Sequence, residues 1–192
     1  FNEVAMNTGV AHNGLSGGVC LEDFNGDGLI DIFVTAYGLN ENVVLYQNTG
    51  KGYFEDVTDD ALLKGIVSGL NCVHADYDND GYSDILILRG AWLDQFGNHA
   101  NSLLHNNGDG TFDDVTKSSG LLSYHPTQAA GWADYNRDGF LDLFIANEDK
   151  QEYSSPCELY QNNGDGTFTE VSQQVGIGQL EVFAKGVSWG DI

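Results

Sequence analysis

Short apolar runs punctuated by Gly, Asn and Asp set the rhythm of this chain. Asp31-Ile-Phe-Val-Thr-Ala-Tyr37, Asp84-Ile-Leu-Ile-Leu88 and Asp142-Leu-Phe-Ile-Ala146 are β-rich and of strand length, and each is bounded by turn residues. Twelve such runs are predicted as strands, in three groups of four: 18–22, 31–37, 43–47 and 53–58; 71–75, 84–88, 102–105 and 111–116; 130–133, 142–146, 158–161 and 167–172. The connecting stretches 59–70, 117–129 and 173–185 carry only small apolar pieces and read as loops or single helical turns. No apolar run approaches the ~20 residues of a membrane-spanning helix.

The groups repeat at a regular interval. A Phe-x-Asp/Glu-Val signature starts at Phe1, Phe54, Phe112 and Phe168, in steps of 53, 58 and 56. An Asn-x-Gly-x-Gly turn precedes three of them, at 48–52, 106–110 and 162–166. Aspartates at 23, 76, 134 and 191 open a third recurring element, in steps of 53, 58 and 57. Agreement among the three markers points to one repeat of four antiparallel strands, the blade of a β-propeller. The fold class is therefore all-β, with three full blades at 18–58, 71–116 and 130–172. Residues 1–17 match the outer strand and linker of a preceding blade, and 186–192 the first strand of a following one. Propellers close with about four to eight blades, so the chain is expected to be an excerpt of a longer propeller, or to have its ends completed by neighbouring chains.

The recurring aspartates begin the element that carries chemistry. Asp76-Tyr-Asp78-Asn-Asp80-Gly81-Tyr82-Ser-Asp84 reads D-x-D-x-D-G-x-x-D. Its copies are Asp23-Phe-Asn25-Gly-Asp27-Gly28-Leu29-Ile-Asp31 and Asp134-Tyr-Asn136-Arg-Asp138-Gly139-Phe140-Leu-Asp142. Side-chain oxygens at positions 1, 3, 5 and 9, with the backbone carbonyl of position 7 (Leu29, Tyr82 or Phe140), form the oxygen shell that Ca²⁺ requires. Glycine at position 6 permits the turn. Positions 2, 4 and 8 vary. Asp, Asn and Gly also mark ordinary hairpin turns, but turn chemistry alone does not ask for four convergent oxygens in three copies. An EF-hand would need a bidentate Glu at position 12, where Val34, Ile87 and Ile145 stand inside apolar runs. Three Ca²⁺ sites are expected, with a fourth cut short after Asp191. Asp109 and Asp165 in the glycine-rich turns are read as turn residues, because Lys51 holds their place in the first repeat.

Charge supports this reading. The net charge is −22, from 29 acidic and 7 basic residues, and ten of the acids sit in the three loops. Nucleic acid and anionic membranes are poor partners for such a surface. Cys20, Cys72 and Cys157 show no metal-binding spacing. The first two read as small core residues, and no disulfide is assigned. Leu21, His74, Trp132 and Trp189 share one repeat position, expected to pack, with His74 at the core or the channel edge.

The stretches Trp132-Ala-Asp-Tyr-Asn-Arg-Asp-Gly-Phe-Leu-Asp142 and Tyr160-Gln-Asn-Asn-Gly-Asp-Gly-Thr-Phe168, followed by Thr-Glu-Val and Val175-Gly-Ile, resemble the FG-GAP/VCBS repeats of integrin-α-type propellers. More closely, they resemble the cartilage acidic protein and ASPIC/UnbV group of secreted proteins. The resemblance spans essentially the whole chain and implies a seven-bladed, secreted or cell-surface, Ca²⁺-dependent propeller, with the family's metal positions carried onto all three loops. The Phe-Gly and Gly-Ala-Pro signatures, an EGF-like segment and an ASPIC/UnbV module are not evident in the sequence.

Strand order places the metal loops and glycine-rich turns on one face. The loops between second and third strands lie on the other, long at 90–101 and 147–156 and short at 38–42. Trp92, Phe96, His99, Glu152 and Tyr153 on the long loops are the recognition candidates, since binding concentrates on variable loops over a rigid scaffold. Two function classes follow. One is a non-catalytic structural or recognition module (adhesion, matrix or filament component, or glycan binding) whose partner is a protein, a glycan or another copy of the chain. The alternative is the propeller of a secreted polysaccharide lyase or hydrolase. That reading needs a paired acid and base or a basic cleft, and the long loops offer only Arg89 and Lys150 as cations.

Overall fold

The computed structural model describes residues 2–12, 14–89, 99–148, 154–180, 182 and 184–190. Among these, the expected twelve strands form three four-stranded antiparallel sheets, each a simple up-and-down meander. Blade 1 comprises β1 (Ser16–Glu22), β2 (Asp31–Ala36), β3 (Val44–Asn48) and β4 (Phe54–Asp56). Blade 2 comprises β5 (Asn71–Ala75), β6 (Asp84–Leu88), β7 (Ser102–Asn106) and β8 (Phe112–Asp114). Blade 3 comprises β9 (Thr127–Ala133), β10 (Asp142–Asn147), β11 (Glu158–Asn162) and β12 (Phe168–Glu170). The outer strands are shorter than their sequence runs because only three residues of each pair with the neighbour, as in Tyr46–Asp56, Gln47–Glu55 and Asn48–Phe54.

The core lies between the blades. Cys20, Phe24, Phe33, Leu45, Leu63, Cys72, Ile85, Ile87 and Phe112 join blades 1 and 2. Tyr77, Leu86, Leu88, Leu103, Leu121, Leu143, Ile145 and Phe168 join blades 2 and 3. Strand β6 shows why its sequence is apolar without alternation: Ile85 and Ile87 point into one core, Leu86 and Leu88 into the other, and all five of its residues are buried. Blade 1 has one such face. On its other side Ile32 and Val34 are half-buried and line a groove with Val10, His12, Val44 and Tyr46.

A left-handed residue closes each connection between blades. Short helices α1 (Ala5–Thr8) and α2 (Ser172–Val175) end at Gly9 and Gly176, with φ +84° and +85°. The equivalent positions after blades 1 and 2 are Leu62 (φ +61°) and Gly120 (φ +84°). The connections reach forward as well: the Phe112 amide donates to Ala61 O, and the Phe168 amide to Ser119 O.

Among the described residues, neither end segment carries a strand ladder at 2–4 or 186–190. Residues 2–4 lead directly into α1, which begins at Ala5. Residues 186–190 are extended without a ladder, yet Trp189 Nε1 donates to Gly131 O at 3.1 Å and its ring meets Phe144 edge-on. Asp191 lies outside the described residues.

Candidate metal centre

Each acidic loop is knotted by its own side chains. In the first, Asp23 accepts the amides of Asp27 and Gly28 at 3.0 and 2.7 Å, Asn25 Oδ1 accepts the Asp27 amide, and Asp27 accepts the Leu29 amide. Asp76, Asp78 and Asp80 repeat the pattern on Asp80, Gly81 and Tyr82, as do Asp134, Asn136 and Asp138 on Asp138, Gly139 and Phe140. These bonds turn the oxygens of positions 1, 3 and 5 toward the loop interior, and each oxygen keeps a lone pair beyond the one used. The loops require left-handed backbone at position 6, where Gly28, Gly81 and Gly139 have φ between +84° and +96°. Position 4, variable in sequence, is left-handed too: Gly26, Asn79 (φ +61°) and Arg137 (φ +63°).

Position 9 is different in kind. Asp31, Asp84 and Asp142 are at most 2% exposed, at the base of the loop. One carboxylate oxygen accepts the amide of loop position 2 (Phe24, Tyr77 or Tyr135), and the other accepts the amide of Asn48, Asn106 or Asn162. Burial raises all three carboxyls above the ordinary aspartate range, with Asp84 pushed up to about 7.

The loops are not identical. Loop 2 has a carboxylate at position 3 where the others have Asn25 and Asn136. Ligand atoms of Asp76, Asp78 and Asp84 lie within 4.8 Å of one another, as do those of Asp78, Asp80 and His105. His105, whose place is held by Gln47 and Gln161 in the other blades, sets Nδ1 3.1 Å from Asp84 and 3.4 Å from Asp78. The sequence expectation did not include it; its only signal is a histidine directly before the recurring asparagine.

That asparagine is the second residue missed. Asn106 Nδ2 donates to Ser83 O in its own blade and, at 2.8 Å, to Phe24 O of loop 1. Asn162 does the same toward Leu141 O and Tyr77 O of loop 2. Asn79 adds a bond from loop 2 to Gly139 O of loop 3. Each acidic loop is thus fastened to the glycine-rich turn beside it. A Cβ at Gly108 or Gly164 would collide with the ring of Tyr82 or Phe140, so the position-7 side chains also pack on those turns.

Three recurring windows at 23–87, 76–145 and 134–192 match the FG-GAP-like repeat, and each opens on the first aspartate of a loop. The chain belongs to the FG-GAP-like repeat family. Two relatives named cartilage acidic protein 1 are similar to it: the human protein at 30% identity over 83% of this chain, and that of Xenopus tropicalis at 28% over 76%. The chain spans 24% and 20% of their lengths. A solved structure of an Agrocybe aegerita lectin, titled for recognition of non-reducing terminal N-acetylglucosamine, is 26% identical over 78% of this chain and 36% of the lectin, with a TM-score of 0.44.

Other expected residues fall as follows. Asp109 and Asp165 accept the amide and hydroxyl of Thr111 and Thr167, which holds both carboxyls below the usual range and accounts for them within the turn. His74 packs edge-on to Phe24, and Trp132 stacks on Tyr77. Leu21 and Trp189, at the same repeat position, are exposed. Arg89 is buried rather than displayed on a loop; it donates to Val67 O, Ala100 O and Ser102 Oγ. His99 is half-buried, while Trp92, Phe96, Lys150, Glu152 and Tyr153 lie outside the described residues.

Proposed function

We propose that this FG-GAP-like repeat module binds three Ca²⁺ ions, one per acidic loop, and that it serves outside the cell as a structural or recognition element. The observation that carries the reading is the buried aspartate at the base of every loop. A carboxyl buried below three inward-turned side-chain oxygens is stabilised in its charged form by a hard divalent ion. The donor set is oxygen throughout loops 1 and 3: Asp23, Asn25, Asp27, Leu29 O and Asp31, and Asp134, Asn136, Asp138, Phe140 O and Asp142. In loop 2 it is Asp76, Asp78, Asp80, Tyr82 O and Asp84, with His105 adjacent. A bound ion would supply charge neutralisation; the residues supply a pre-folded cage, since their amide contacts already fix the loop.

Extracellular Ca²⁺ is millimolar, a level that fills sites of the weakness usual in extracellular modules. Among the described residues no helix is long and apolar enough to cross a membrane. The partner is a protein, a glycan or a second copy of the chain, met on the face of the long loops opposite the metal loops. The alternative, a polysaccharide-acting enzyme, is left aside because Arg89, the basic group at the head of the longest loop, is engaged with backbone carbonyls; turnover of a polysaccharide panel would reverse that choice. Calorimetric titration of chelator-treated protein should give three ions per chain, and two for Asp80→Ala with an unchanged β-sheet spectrum. Heatless titration at millimolar Ca²⁺, confirmed by equilibrium dialysis, would overturn the proposal.

A further inference from the structure

Cys20 on β1 and Cys72 on β5 meet in the first inter-blade core, both buried, with their sulfurs 3.2 Å apart. The strands that carry them adjoin: a Cβ on Gly18 would lie 2.6 Å from Asn71 Cα and 2.7 Å from Cys72 N. Counting back from the loop aspartates, the contact recurs as Val73 with Ala130 at the next joint and as Gly131 with Val187 after it. Val73 and Ala130 belong to the second core, and the Cβ position of Gly131 is 2.9 Å from Val187 Cγ1. Two joints are therefore packed at this point without sulfur. Packing alone does not call for a cysteine on both sides of the first.

We infer that Cys20 and Cys72 close a disulfide that ties blade 1 to blade 2. A bond length of about 2.05 Å requires the sulfurs to approach by roughly 1 Å, on strands already in contact. The two thiols give up two protons and two electrons, and a small-molecule or protein disulfide accepts them and leaves as two thiols. The thiolate of one cysteine attacks the oxidant to form a mixed disulfide, and the second cysteine displaces the oxidant's remaining thiol. In the folded molecule both sulfurs are shielded, and the neighbouring Cys20 together with burial drives the Cys72 thiol upward. Exchange therefore takes place while β1 and β5 are still open to solvent. Cys157 is buried beside Asn147 and Glu158 in blade 3, remote from both, and remains a thiol.

The test is refolding of reduced, denatured protein with and without a mixture of oxidised and reduced glutathione, followed by acid quench, alkylation in denaturant, intact mass and a non-reducing peptide map. The expected product has one alkylatable thiol, Cys157, and a Cys20–Cys72 linked peptide. Its melting temperature in excess chelator should exceed that of the reduced form by on the order of 10 °C, since the closed loop spans 52 residues. Three free thiols, a bond to Cys157 or a bond between chains would overturn the inference. The double variant Cys20→Val with Cys72→Ala, which copies the side chains of the second joint, should fold and melt at the same temperature in both refolding mixtures. A redox-dependent melt in that variant would assign the effect elsewhere.

Discussion

Asp84 shows at the scale of one residue how the proposed sites would trade proton for metal. Its carboxyl is raised from an ordinary value of 3.8 to about 7, first by burial, and Asp31 and Asp142 move the same way. A carboxyl with a raised folded-state pKa contributes stability that is complete below about 4 and is lost as pH climbs through about 7. Chelated protein should therefore melt at a lower temperature at pH 8 than at pH 5. Millimolar Ca²⁺ should shrink or invert that difference, because an ion bound as proposed would favour the deprotonated loops; scanning calorimetry with and without chelator reads both. A second residue-scale prediction concerns Leu62, an exposed left-handed leucine where the other connections have glycine. Relief of that conformation outweighs the added chain entropy, so Leu62→Gly should stabilise by up to about 1 kcal/mol in urea titration.

At the scale of elements, strand periodicity and turn chemistry were enough to place all twelve strands, because most of the apolar runs abut a glycine, asparagine or aspartate whose role is local. What the pattern could not show is how blades are joined. Asn106 and Asn162 look like turn residues, and as such they do accept the Gly108 and Gly164 amides. Their second task, holding a carbonyl 82 or 85 residues away, is a tertiary contact with no sequence period of its own. His105 was obscured for a similar reason, since cross-strand neighbours are invisible until register is fixed. Truncating Asn106 to Ala leaves Phe24 O buried and unpaired, so it should destabilise by about 1–3 kcal/mol in denaturant unfolding. A smaller effect than for the exposed Asn107→Ala would contradict the assigned contact.

For the whole molecule, the net charge of −22 is the opposing force that the proposed ions would offset. If each site has a dissociation constant near ~10⁻⁴ M, millimolar Ca²⁺ adds on the order of 1.4 kcal/mol per site by mass action. Excess EDTA should accordingly lower the melting temperature by several degrees, and a coincident melt would argue that the loops hold their shape without cations. Burial of β6 on both faces, against burial of β2 mainly on one, also shows which sheet is packed from two sides and which keeps a half-buried face.

The asparagine that spans two blades has a mechanical corollary. Phe24 offers its amide to Asp31 and its carbonyl to Asn106, so a single residue belongs at once to a candidate ion cage and to the seam behind it. Stiffening the cage must then seat the next sheet, and seating that sheet must, by thermodynamic reciprocity, sharpen the cage. Filling of the first two loops is expected to proceed as a zipper along the chain, with the torsional rigidity of the whole array rising ion by ion.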